Sequence, residues 1–133
     1  MPHSYSKSRY DSHMTVRAIR GAIQVESNTE EAISQGSKEL LTRILQVNEL
    51  APQEIISVIF TATADLNATF PARAARELGF ELVPLLCAVE IDVPGALVRT
   101  IRALIHCNSS RSPEQIEHVY LGGASVLRQD LAQ

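Results

Sequence analysis

Four arginines sit inside apolar patterns where a charged side chain needs a counterpart. They are Arg20 in "TVRAIRGAIQV", Arg76 in "PARAARELGF", Arg102 in "VRTIRALIHC" and Arg128 in "SVLRQDL". A guanidinium stays charged, so one drawn into a partly buried place requires an anion from the protein or from a ligand. Glu90, which closes the apolar run "PLLCAV", is a matching acid. On these residues alone two outcomes are open. One is an internal ion pair such as Glu90 with Arg102. The other is a pocket for a small polyanion, in which arginine forks hold carboxylates and Glu90 accepts from a hydroxyl. Such a pocket can hold a ligand in one conformation and stabilise charge that develops on it, without acid, base, nucleophile or metal.

Other chemistries find little support. No motif links His3, His13, His106 or His118 to a Ser or Cys nucleophile. His106 and His118 alternate with apolar neighbours and read as structural or surface residues, and Cys107 as core filler. Glu90 and Asp92 lie two apart, but no HxH, HExxH or DxDxDG spacing accompanies them. "GGAS" lacks the Lys of a phosphate loop and reads as a turn.

The elements that must position these groups belong to one domain, since 133 residues suffice for a single core. A hydrophobic share of 45% against 20% charged sets disorder and fibrous classes aside. The net charge of -3 argues against nucleic acid as a partner. No apolar run approaches the roughly 18 residues of a membrane span. Cys87 and Cys107, far apart and outside any CxxC, suit a reduced, cytoplasmic protein. Residues 1–13, "MPHSYSKSRYDSH", are polar and aperiodic and read as a flexible leader or tag-like extension, with the domain spanning 14–133.

Alternation makes "TVRAIRGAIQV" a strand with Arg20 on the side of Val16 and Ala18. Asn28 is the expected N-cap of a helix running to about Val47, whose Ile33, Leu40, Leu41 and Ile44 recur at helical spacing. "IISVIFTAT" reads as a strand, and Pro71 and Gly79 bracket a short helix. "ELVPLLCAVEI" is another strand, in which strict alternation puts Cys87 and Glu90 on opposite faces. "GALVRTIRALIHC" fits helix and strand equally. Ser112 and Pro113 mark a helix start, "IEHVYL" a last strand, and "SVLRQDL" a final helical turn. The order implies an α+β or α/β sheet covered by one main helix.

The segments "VRAIRGAIQVESNTEEAI", "FTATADLNATFPARAARELGF", "VPLLCAVEIDVPGALVRTIR" and "IEHVYLGGASVLRQDL" together resemble the small trimeric α/β chorismate mutases, from Met14 to Leu131. The resemblance implies an α+β domain: a mixed five-stranded sheet under one long helix and several short ones, assembled as a pseudo-α/β-barrel homotrimer with active sites between subunits. The contested segment becomes a strand on this ground. It implies an isomerase that converts chorismate to prephenate in aromatic amino acid biosynthesis, with no cofactor, metal, nucleic acid or membrane. Carried over by residue, Arg102 matches the catalytic cation at the ether oxygen, Arg20 a carboxylate-binding arginine, and Glu90 the acceptor from the ring hydroxyl. Tyr120 matches a holder of the side-chain carboxylate, and the main chain at Cys87, with Leu86, Ala88 and Val89 around it, lines the pocket. Phe70, Ala72, Arg73, Arg76, Leu127 and Arg128 match its wall and rim. Two other readings are a non-catalytic trimeric binder of a small carboxylate, and another enzyme on a similar scaffold such as an imine or enamine deaminase. Glu90 with Arg20 and Arg102 matches the mutase pattern better than the deaminase one.

Overall fold

Strand β1, Thr15–Gln24, turns Ile19, Gly21 and Ile23 into the core and Val16, Ala18 and Arg20 outward, as its alternation requires. A computed structural model describes residues 14–128 of the chain, and the expected leader, residues 1–13, lies outside them. Helix α1, Glu30–Val47, buries one stripe made of Ile33, Gly36, Ser37, Leu40, Leu41 and Ile44. Its cap is Thr29, one residue beyond the expected Asn28, and Thr29 Oγ1 accepts from the Ala32 N–H at 3.0 Å. Asn28 is taken by distant partners. Its Oδ1 accepts from the N–H groups of Asn67 and Ala68, each at 3.0 Å, which anchors the loop leading to Phe70.

Strand β2, Ile55–Ala62, and helix α2, Pro71–Glu77, follow, and Gly79 ends the helical segment at a φ of +98. Strand β3, Leu85–Val89, begins just after Pro84, where a missing N–H costs no ladder bond. The segment that fitted two patterns is strand β4, Thr100–Ser109, with Ile101, Ala103, Ile105 and Cys107 buried on one face. Local pattern could not decide it. Its position does, because β4 lies between β2 and β1 and satisfies both ladders.

The Ser112–Pro113 start yields only a single 3₁₀ turn, Pro113–Gln115, before the chain leaves to bury Ile116 and reach β1. Strand β5, Val119–Leu121, is shorter than "IEHVYL", and the closing turn is a 3₁₀ stretch, Gly122–Leu127, that begins before "SVL".

The sheet order is β3-β2-β4-β1-β5. β4 runs antiparallel to both neighbours, whereas β3 on β2 and β5 on β1 are parallel, so the sheet is mixed and the domain α+β. The core lies between one sheet face and α1, where Ile19, Ile23, Phe60, Ile101 and Ile105 meet Ile33, Leu40, Leu41 and Ile44. Gly21 permits this approach: a Cβ there would stand 2.8 Å from Ile44 Cδ1 and 3.0 Å from Leu40 Cδ1. Among the described residues no helix covers the other face, and on it stand the charged residues of interest.

Candidate active site

The register draws one row of residues across all five strands. Ala88 pairs with Thr61, Thr61 with Arg102, Arg102 with Ala22, and Ala22 with Tyr120. Arg102 therefore sits at the centre of the sheet, and Tyr120 lies two strands away, about 10 Å at ordinary strand spacing. Arg20 precedes Ala22 by two residues on β1 and so projects from the same face.

Glu90 comes from just beyond β3, where its N–H donates to the Ala62 carbonyl at 3.0 Å and so prolongs the parallel ladder. That extension aims its side chain at Arg102, whose Nε donates to Glu90 Oε1. The pair is unequal in exposure: the Glu90 side chain is 15% exposed and that of Arg102 44%. Glu90 Oε2 is buried and has no hydrogen-bond partner among the described residues. The Nη nitrogens of Arg102, the Arg20 guanidinium and the Tyr120 hydroxyl make no hydrogen bond among the described residues either. A hollow of about 260 Å³ brings Arg20, Arg102 and Tyr120 together with Ile59, Thr61 and Leu104. Its chemistry is that of an anion site: two guanidinium forks and a phenol over an apolar floor, with Glu90 adjoining it through its bond to Arg102.

The strand geometry puts Cys87 on the other face, as alternation demanded. Cys87 pairs with core residue Phe60 and packs against the core, so only its main chain can reach toward Glu90. Leu86 and Val89 are exposed at 60% and 70%. A second hollow of about 450 Å³ holds Phe70, Arg73, Cys87, Ala88 and Val89, and it shares no residue with the first. Ala72 is buried in α2 and Arg76 is exposed on it, so neither joins these hollows within one chain. Leu127 is half-buried and Arg128 exposed at the end of the final turn.

Ile59, Thr61 and Leu104 were not singled out from the sequence. For Ile59 and Thr61 the signal was present in "IISVIFTAT", where they alternate with the buried Val58, Phe60 and Ala62. Just past β2, Thr63 Oγ1 donates to Asp65, which also accepts from the Arg99 N–H at 3.0 Å. The Thr63 hydroxyl and, more weakly, the Arg99 backbone and charge hold the Asp65 carboxyl below its usual range. Arg99 has a φ of 48, the left-handed region, and this network holds it there at the entry to β4. Burial pushes the Cys107 thiol up to about 11, which suits an inert core residue.

The model of the type I chorismate mutase family matches residues 16–131. The chorismate mutase AroH of Thermus thermophilus is 50% identical over 117 residues, 87% of this chain and 96% of that protein. The chorismate mutase AroH of Bacillus subtilis is 44% identical over 120 residues, 90% of this chain and 94% of that protein. A solved chorismate mutase from Clostridium thermocellum superposes with a TM-score of 0.82 at 46% identity, covering 83% of this chain and 98% of its own. The family match spans the positions of Arg20, Glu90 and Arg102, and with relatives at this identity and coverage the chain belongs to the type I chorismate mutase family, an isomerase.

Proposed function

We propose that the chain converts chorismate to prephenate in pockets completed between the subunits of a homotrimer, with Arg102, Glu90 and Arg20 as the residues that act on the substrate. The observation that carries the reading is Glu90 Oε2, buried and unpartnered among the described residues, beside the Arg102 guanidinium on the face that no described helix covers. Chorismate is a dicarboxylate with a ring hydroxyl and an enol ether oxygen. In the rearrangement the ether carbon–oxygen bond breaks as a carbon–carbon bond forms, and no proton moves. The chain therefore needs a mould and a field, both of which the hollow offers.

Arg20 and Tyr120 take the carboxylates, which folds the substrate into its compact reactive form. Glu90 Oε2 accepts from the ring hydroxyl. Arg102, its Nε held by Glu90 Oε1, turns its Nη nitrogens to the ether oxygen as negative charge gathers there. The Arg102–Glu90 bond fixes the guanidinium plane before substrate arrives, so little is lost to reorganisation.

The assembly rests on two supports. Within one chain the Arg20–Arg102–Tyr120 hollow and the Phe70–Arg73–Val89 hollow are separate, so a closed pocket takes one from each of two copies. The surfaces to be joined are also apolar: Val16 is 56% exposed, Leu86 60%, Phe70 67% and Val89 70%. Cys87 and Cys107 are both free thiols, which fits a reducing compartment, and on that ground we place the protein in the cytoplasm. Mixing the purified protein with chorismate and following its ultraviolet absorbance tests the reaction. Loss at no more than the uncatalysed rate overturns it, and sedimentation equilibrium at the mass of three chains supports the assembly.

A further inference from the structure

Arg20 and Tyr120 stand on β1 and β5, which share a parallel ladder of only three pairs, Gly21 with Val119, Ala22 with Tyr120 and Ile23 with Leu121. Three pairs at a sheet edge are a weak tether for two substrate-binding side chains. Extending the register by one sets His118 opposite Arg20, and there the ladder is replaced by a side chain: the Arg20 N–H donates to His118 Nδ1 at 2.9 Å. One residue earlier, Glu117 is held from the other side. Its N–H donates to Asn48 Oδ1 at 2.9 Å, and Asn48 Nδ2 donates to the Glu117 carbonyl at 2.9 Å. The entry to β5 is thus gripped between the end of α1 and β1, and the imidazole is the contact on the side of the pocket.

We propose that His118 is a positioning residue of this pocket: as a neutral imidazole it fixes β5 against β1 at Arg20, sets the separation of Arg20 from Tyr120, and releases both when it is protonated. The inference rests on the reading of Arg20 and Tyr120 as carboxylate binders. The bond needs Nδ1 to be an acceptor, which fixes the tautomer with its proton on Nε2. In imidazolium both nitrogens carry protons, so Nδ1–H would face the Arg20 N–H.

The surroundings favour the neutral ring. Burial and then the nearby Arg20 guanidinium lower the His118 pKa from 6.5. Glu117 and Tyr120 flank it on its own segment. From α1, Lys38, Glu39 and Arg43 line the cleft beside Leu121, and the neutral amide of Asn48 meets Glu117. The final 3₁₀ turn, Gly122–Leu127, carries no titratable side chain. A lowered folded pKa means that the bond is whole above 6.5 and is lost as pH falls through the folded value.

The test compares wild type, His118→Ala and His118→Asn for turnover of chorismate across pH, with circular dichroism and sedimentation confirming that each is folded and assembled. The Asn side chain restores an acceptor at the place of Nδ1 and does not titrate. At pH 7.5 His118→Ala is expected to raise KM roughly tenfold, the worth of a lost hydrogen bond, with a smaller fall in kcat. His118→Asn is expected to regain most of the wild-type KM and to lack the acid-side rise in KM that wild type shows. A folded His118→Ala with the wild-type KM at every pH overturns the proposal, as does a His118→Asn that keeps the wild-type pH profile. The Arg20 amide and the His118 ring nitrogens, followed by NMR, are expected to titrate together in wild type, and independent titration also overturns it. Wild type that leaves chorismate at its uncatalysed rate overturns the proposed reaction instead, while the NMR titration still reads the bond.

Discussion

Glu90 meets Arg102 with one carboxylate oxygen and keeps the other, Oε2, buried without a partner among the described residues. The two uses open to Glu90 from the sequence, ion pair and ligand acceptor, are therefore compatible, because a carboxylate has two oxygens and the fold engages one. A buried acceptor left empty carries a desolvation penalty that a hydroxyl of the right ligand removes.

Arg102 is the centre of the proposed stabilisation. Arg102→Ala is expected to lower kcat by about 10² to 10³, the usual cost of one well-placed charge-stabilising donor. Arg102→Lys is expected to recover little, since an ammonium supplies charge but not a fork that can hold Glu90 and the ether oxygen together. Steady-state turnover of chorismate by each variant checks both, and near-normal kcat in Arg102→Ala would remove Arg102 from its role.

Sharing of sites between subunits is open to complementation. Arg102→Ala and Phe70→Ala alter different hollows of one chain, and each alone is expected to be nearly inactive. After joint unfolding and refolding in equal amounts, about a quarter of the interfaces should unite two intact halves by random assortment. Activity that returns on mixing confirms the sharing, whereas activity no higher than the average of the separate variants rejects it.

Much of this architecture could be read from the sequence, and the failures have physical causes. β1 and α1 were legible because one face of each is buried and their periods are clean. β4 was ambiguous because its Arg and Thr residues fall where either pattern admits them, and only two flanking ladders settle it. Asn28 was preferred to Thr29 as the cap because cap propensity is local, while its bonds to Asn67 and Ala68 span 39 and 40 residues. Arg20 and Arg102 were recognisable as polar intrusions in apolar runs. His118 was legible only as a structural or surface residue, since its partner is 98 residues away.

Gly21 tests the closeness of α1 to the sheet. Gly21→Val is expected to destabilise the fold by about 1 to 3 kcal/mol, because its branches collide with Ile44 and Leu40 in a packed core. Urea unfolding, compared with wild type at the same protein concentration, gives the difference. An unchanged midpoint contradicts the packing described.

Asp65 gives stability a defined pH dependence. Its folded pKa lies below 3.8, so its contribution is complete above 3.8 and is lost as pH falls through the folded value. Asp65→Asn is expected to cost about 1 kcal/mol or less at neutral pH, since the group is largely exposed and water screens it. The gap to wild type should narrow on acidification below 3.8, as wild type protonates too. Chemical denaturation at several pH values measures this, and a gap that widens on acidification contradicts the assignment.

The strand order has a consequence for how the enzyme comes into being. β1 and β2 are made first but are never neighbours, and they are joined only when β4 slides between them. A nascent chain that ends before Thr100 thus has β3 as a partner for one edge of β2, but no strand for the other edge of β2 or for either edge of β1. The loop entropy of pairing β1 with β4 must be met before any contact rewards it, which makes refolding slow for a chain of this size. On the proposed reading catalytic competence is spread along a row that needs β5 as its last member, so activity is expected to return at the end of folding and to serve as its most stringent reporter.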